Sequence, residues 1–331
     1  MRQAHEMTGA LRRRTLLLGA AAATLPAGGA LAQTAPRPVR YVVAGPAGGS
    51  ADIVARLFAD EMGQVLGAPG IVDPKPGAAG MIAVNDLLQS PRDGQTVLVG
   101  VNSLVSEIPH IVKTRHDMFK DVVPLAELAR GALVLVGSPD FAPRTLADIV
   151  AAAKRQPGKI SYASYSAGTI SHVLGQMLNS AAGIELTHVA YKGSTPALAD
   201  VMGGHVHLMF DGMATSLPLI RAGKLKVYAV STPRRSSLLP QVPTFAELGF
   251  EQLTVTGWMG LWGSAGLPEA AQASLRAAAL KALQKPALRQ RLQEAGFEPG
   301  EPRTQVEMAQ GLRRDYDRVG AVLRSIDFKP E

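Results

Sequence analysis

Four short segments of this 331-residue chain hold the residue types that can do chemistry. The first is Gly45-Pro46-Ala47-Gly48-Gly49-Ser50-Ala51-Asp52, set between an apolar run and an amphipathic one. Glycine lets the backbone approach a ligand closely. The unpaired N–H groups and partial positive charge of a helix start suit an anion. Ala47, Gly48, Gly49 and Ser50 are therefore candidates, with Asp52 just behind them. Ser50 either caps the helix or offers its hydroxyl to a ligand. The spacing fits neither the P-loop nor the dinucleotide-binding fingerprint.

The second segment runs from Ser164 to His172. Ser164, Tyr165, Ser166, Gly168, Thr169 and Ser171 supply hydroxyls and backbone donors without a carboxylate. A hydrolase elbow needs glycine two places before the nucleophile, and Ser164 stands there before Ser166. His172 is either a partner for such a serine or a hydrogen-bonder that holds the loop. The third segment is Tyr191-Lys192-Gly193-Ser194, where Lys192 is a counter-charge for an anion or a solvated lysine. In the fourth, His205 and His207 share one strand face, but no third ligand stands at metal spacing. Asp211, at that strand's end, accepts a bond from a ligand or caps the next helix.

These segments lack a nucleophile–base–orienter set, a metal cluster and a carboxylate pair. They favour binding over catalysis, with no cofactor and no metal. An exported hydrolase using Ser166 or Ser164 with His172 is one alternative. A phosphate- or nucleotide-binding module is another.

The elements that position these loops alternate between short apolar runs and amphipathic ones, which predicts an α/β chain. Strands are expected at 39–44, 71–73, 96–101, 133–136, 160–163, 187–191, 206–210 and 225–230. Helices are expected at about 50–66, 81–88 and 170–182, with capping boxes at Thr145/Asp148 and Thr304/Glu307. The last third reads as mostly helical. All four candidate loops then lie at strand ends, facing one crevice.

Composition narrows the partners. The chain has no cysteine, which excludes disulfides, thiolate metal sites and a lipid anchor. Residues 1–32 read as an export signal. Arg13-Arg14 fits the twin-arginine type, and small residues lead to a cleavage site near Ala32. That segment carries Arg2, Arg12, Arg13 and Arg14 against Glu6, so +3 of the formal +7 leaves with it and +4 remains. The remaining basic residues are scattered, and nucleic acid is not expected as a partner.

The order of motifs resembles the periplasmic solute receptors of tripartite tricarboxylate transporters, the TctC or Bug family. The resemblance rests on Pro46-Ala47-Gly48-Gly49-Ser50-Ala51-Asp52 with Ala55-Arg56, and on Tyr162-Ala163-Ser164 through Gly168-Thr169 to Ser171-His172. It continues through His188-Val189, Tyr191-Lys192-Gly193-Ser194, Gly203-Gly204, Met209-Phe210-Asp211 and Val242-Pro243-Thr244. The chain departs from the family pattern at Ala44, Gly45, Ser166, Ala167, Ala190 and His207. The resemblance implies a two-lobed type II periplasmic-binding-protein fold, each lobe a mixed sheet flanked by helices. Lobe 1 would be 37–135 plus 255–331 and lobe 2 would be 136–254. It also implies a periplasmic, monomeric receptor for a small organic carboxylate, which serves membrane permease subunits or a sensor kinase.

Overall fold

The computed structural model describes residues 37–191 and 193–329. The expected export signal and Lys192 lie outside the described residues. The first stretch holds β1 (Val39–Val43), α1 (Ser50–Leu66), β2 (Gly70–Pro74), α2 (Met81–Gln89) and β3 (Thr96–Val101). Three one-turn helices follow, α3 (Ser103–Ser106), α4 (Ile108–Ile111) and α5 (Met118–Asp121). The long strand β4 (Val122–Gly137) leads to α6 (Leu146–Arg155), β5 (Ser161–Ser164), α7 (Ile170–Ala182) and β6 (Thr187–Ala190). Next come α8 (Ser194–Met202), β7 (Leu208–Gly212), α9 (Met213–Arg221) and β8 (Lys226–Val230). The chain closes with β9 (Thr256–Ser264), α10 (Glu269–Leu283), α11 (Pro286–Glu294), β10 (Glu298–Pro299) and α12 (Gln305–Ser325).

The strands form one curled sheet in the order β2-β1-β3-β9-β4-β7-β5-β6, with β10 and β8 also paired to β4. β1, β2 and β3 are parallel, as are β5, β6 and β7. β4 joins the two parallel groups. Its residues 122–132 lie antiparallel to β9, and residues 133–137 lie antiparallel to β7 and β8. Register shifts at Pro124/Ala126, Glu127/Ala129 and Leu135/Val136 bend it as bulges do.

Where β4 changes neighbours, Ser231 takes over the pairing. Its backbone N–H donates to the Leu133 carbonyl at 2.9 Å. The Leu133 N–H donates to its Oγ at 3.0 Å, and that hydroxyl donates to the Val255 carbonyl at 2.6 Å. Ser231 is fully buried, so no water substitutes for these bonds.

The helices follow from apolar spacing. α1 buries Val54, Leu57, Phe58 and Met62 against β1, β3 and α10. α7 buries Val173, Leu174, Met177 and Leu178, and α12 packs on α3, β4 and α7. Both expected capping boxes are present, Thr145 with Asp148 and Thr304 with Glu307.

Two expectations change. The strand expected at 133–136 is the end of a 16-residue strand. The last third contains β9, whose Gly257, Gly260 and Gly263 read against a strand. Glycine is required at 260 because a Cβ there would lie 2.6 Å from the Trp258 ring and 2.8 Å from Trp262. Those indoles stack over it with centroids 5.1 Å apart. Tertiary packing therefore overrides local propensity.

Ser231→Ala leaves the Leu133 N–H and the Val255 carbonyl buried without this partner. It is expected to destabilise the fold by about 1–3 kcal/mol in urea titration. Wild-type stability would show that the β4 crossing point relies on other bonds.

Candidate functional site

A cleft of about 300 Å³ opens where β4 changes neighbours. Its floor is Gly131, Ala132 and Leu133 of β4 beside Gly257, Trp258 and Met259 of β9. Ser50 at the start of α1, Tyr165 and Ile170 around the start of α7, and Met213 to Thr215 at the start of α9 form its sides. Asn102, Ser103 and Glu107 enter from the segment after β3. No Lys, Arg or His is among the described residues lining it.

Three helices start at this cleft, and none has a side-chain cap bond. Their N-caps are Gly49, Thr169 and Gly212. α6 and α12 start elsewhere and are closed by capping boxes. The first-turn N–H groups of α1 and α9 are thus left for another acceptor. The first N–H of α7 is different. Ile170 N donates to Glu107 Oε2 at 2.9 Å. Glu107 is only 6% exposed, and burial pushes its carboxyl up to about 7, against the pull of that N–H.

The sequence candidates fall into three groups. Ser50 and Tyr165 line the cleft. Ala47, Gly48 and Gly49 form the turn before Ser50, and Ser166, Gly168 and Thr169 the turn after Tyr165. Gly48 and Gly168 take positive φ values of 75° and 79°. Gly193 N–H donates to the Tyr165 carbonyl at 2.8 Å, which ties the third loop to the second.

The remaining candidates commit their polar atoms inside the protein. Asp52 accepts from Gly48 N–H and pairs with Arg56. Burial pushes its carboxyl up, but these partners outweigh that and hold it below its ordinary value. Asp211 is fully buried and accepts from Ser194, Thr215 and Ser216, which anchors the first turns of α8 and α9. Burial raises its pKa, opposed by those three hydroxyls. Ser171 donates to the Phe210 carbonyl and Tyr191 to Asp200.

His172 Nδ1 accepts from Gly168 N–H at 3.1 Å, which makes it a loop-holder. Among the described residues Ser166 Oγ bonds only to the Ala167 carbonyl, at 3.5 Å, and Ser164 pairs with His188 at 2.7 Å. The serine–His172 pairing that hydrolysis requires is therefore not formed. His207 bonds to Ser161, and no metal-holding group of three acidic or imidazole side chains occurs among the described residues.

Sequence reading missed Glu107, Asn102 and the tryptophan floor. One signal was available for Glu107, an ionisable residue inside the apolar run Leu104-Val105-Ser106-Glu107-Ile108. Asn102, whose Oδ1 accepts from Trp258 N–H at 3.0 Å, follows a strand that was recognised and so marks a fifth strand-end loop.

A wider surface groove of about 620 Å³ carries Arg130, Arg234, Arg235 and Arg289. Arg130 is held by Glu127 and Glu301, and Arg235 by Glu247. Unlike the smaller cleft, it gathers no uncapped helix start among the described residues.

The family model of the tripartite tricarboxylate transporter family receptor matches residues 54–328. The chain belongs to this family. Such receptors are periplasmic solute-binding proteins and not enzymes. This receptor is similar to the solved structure of Rpa4515 from R. palustris with adipate, at 28% identity and a TM-score of 0.78. The match covers 89% of this chain and 99% of that one. It is also similar to MatC from Rhodopseudomonas palustris with bound malate, at 30% identity and a TM-score of 0.74, over 87% and 99% of the two chains. The periplasmic binding protein BugD matches at 28% identity and a TM-score of 0.74, over 89% and 99%. The fold of this receptor is therefore that of TctC-type periplasmic binding proteins. No helix among the described residues is long and apolar enough to cross a membrane.

The second loop carries a pH-sensitive element. His172 and His188 stack with centroids 3.8 Å apart. Burial holds both at about 4, and His188 is lowered further by His172. Between about 4 and 6.5 the unfolded chain binds protons that the folded pair refuses, so stability is lost as pH falls through that window. Glu107 acts oppositely. It holds a proton from 4.5 up to about 7 in the fold, so its contribution is lost as pH rises there. Replacing His188 with Gln is expected to flatten the acid-side fall in urea stability between pH 6.5 and 4. An unchanged slope would show that the pair does not titrate with folding.

Proposed function

We propose that this protein is an exported receptor for a small organic carboxylate, bound in the cleft at the β4 crossing point. The observation that carries this reading is the pair of uncapped starts, α1 and α9, at a cleft with no cationic side chain among its described lining residues. Such a site stabilises an anion with oriented N–H groups alone. Each helix start contributes about 0.3–1 kcal/mol at a surface and up to ~2 kcal/mol when partly buried. Charge-assisted hydrogen bonds add ~1.5–3 kcal/mol each. Two or three of these outweigh ordering costs to give roughly micromolar affinity. The volume lies at the low end of the ~300–1,000 Å³ range for small-molecule sites. Adipate and malate, the solutes of two similar receptors, belong to the same chemical class.

In this reading residues 37–135 with 255–331 form one lobe and 136–254 the other. The lobes close on the solute by a hinge. The loops at 47–52, 164–172 and 191–193, with Asp211, hold the shape of the site. Residues 1–32 direct twin-arginine-type export with cleavage near Ala32, and the released monomer delivers its solute to a tripartite tricarboxylate-type permease.

A thermal-shift screen of monocarboxylates, dicarboxylates, tricarboxylates and amino acids at millimolar concentration is expected to raise the melting temperature with at least one of them. If every carboxylate leaves it unmoved, the receptor reading fails. For the α1 turn, Gly49→Val adds bulk 3.1 Å from the Pro46 carbonyl at an extended φ of −76°, which valine adopts. The variant is expected to fold and to lose roughly tenfold or more in calorimetric affinity. Retained affinity would remove this turn from the site.

A further inference from the structure

We propose that Glu107 makes the cleft asymmetric and selects solutes that carry a hydrogen-bond donor, hydroxyl or ammonium, at the end opposite the bound carboxylate. This rests on the receptor reading and specifies which carboxylates it favours. Glu107 follows α3, lines the cleft and is nine-tenths buried. Its Oε2 occupies the Ile170 N–H at the start of α7. That donor would otherwise serve a solute carboxylate, as those of α1 and α9 do. The α7 end of the cleft therefore presents an acidic acceptor where the other helix starts present donors.

The second oxygen, Oε1, has no hydrogen-bond partner among the described residues. Glu107 has no ion pair among them either. Two charged groups act on it from α12, Asp315 and Arg318. The Arg318 guanidinium is held by Asp315 at 2.7 Å and bonds the Thr254 carbonyl. From the second loop, Tyr165 shares the cleft wall and feels the Glu107 charge. A buried carboxylate with one open oxygen gains from a donor that a solute brings, and repels a second solute carboxylate. Burial also brings its titration near neutrality. Once protonated, Oε1–H donates and the same end accepts a carboxylate.

The test compares length-matched solutes by calorimetry: succinate with 4-aminobutyrate and 4-hydroxybutyrate, and adipate with 6-aminohexanoate. At about pH 8, above the Glu107 value, the wild type is expected to bind at least one amino or hydroxy acid roughly tenfold more tightly than its dicarboxylate. Glu107→Gln keeps an acceptor for Ile170 N–H and turns an amide N–H₂ into the cleft. It is expected to reverse that preference. In the wild type alone, dicarboxylate affinity is expected to rise as pH falls to about 6, a change absent from the Gln variant. Carboxylate binding with the same preference in both proteins, or a pH-independent preference in the wild type, overturns the role of Glu107 and leaves the receptor reading standing. If neither protein binds any of these solutes or any other carboxylate, both fall.

Discussion

Every backbone group buried in a sheet must find a partner, and β4 meets that demand with two sets of neighbours. Up to Ala132 it pairs with β9, and from Leu133 it pairs with β7 and β8. The neighbours diverge at this point, and the gap between them is the cleft. Ser231 closes the pairing on the buried side. The parallel strands on either side send their connecting loops toward the same gap, because loops at the carboxyl ends of parallel strands share one edge. Cleft and helix starts thus both depend on one strand that serves two parallel groups.

A cleft built this way presents backbone N–H groups and has no cationic side chain among its described lining residues. α1 and α9 begin at it on glycine caps, which leave first-turn N–H groups without a side-chain acceptor. Asp211 secures the arrangement from behind. Its buried carboxylate gathers hydroxyls from α8 and α9, so those helices start at a set place relative to β7. His172 does the same for the second loop through Gly168. The polar residues that look most reactive in the sequence are largely brackets, and the surface offered to a solute is mainly backbone, tryptophan and methionine. Glu107 is the one carboxylate among the described lining residues, and it takes the first N–H of α7, whereas α1 and α9 have no side-chain cap.

Much of the framework was legible from the chain. Helices at 50–66 and 170–182 lie where apolar spacing places them, and Thr145 and Thr304 cap where their partners three residues on require. The loops with glycine and hydroxyl residues were visible as anion-suited strand ends. β9 was not, because its glycines oppose strand formation locally and are demanded by the Trp258–Trp262 stack, a contact that exists only in the folded sheet. Glu107 was passed over for a related reason. In sequence it is one acidic residue in an apolar run, and its partner Ile170 lies 63 residues away.

The sequence alone determined the α/β class, the glycine-rich helix starts and the lack of any thiol chemistry, because these follow from local periodicity and residue type. Only the tertiary structure decided which hydroxyls face the cleft and which are spent on bracing it. A side chain's hydrogen-bonding capacity is printed in the sequence, but the acceptor that consumes it is set by strands brought together across the whole chain.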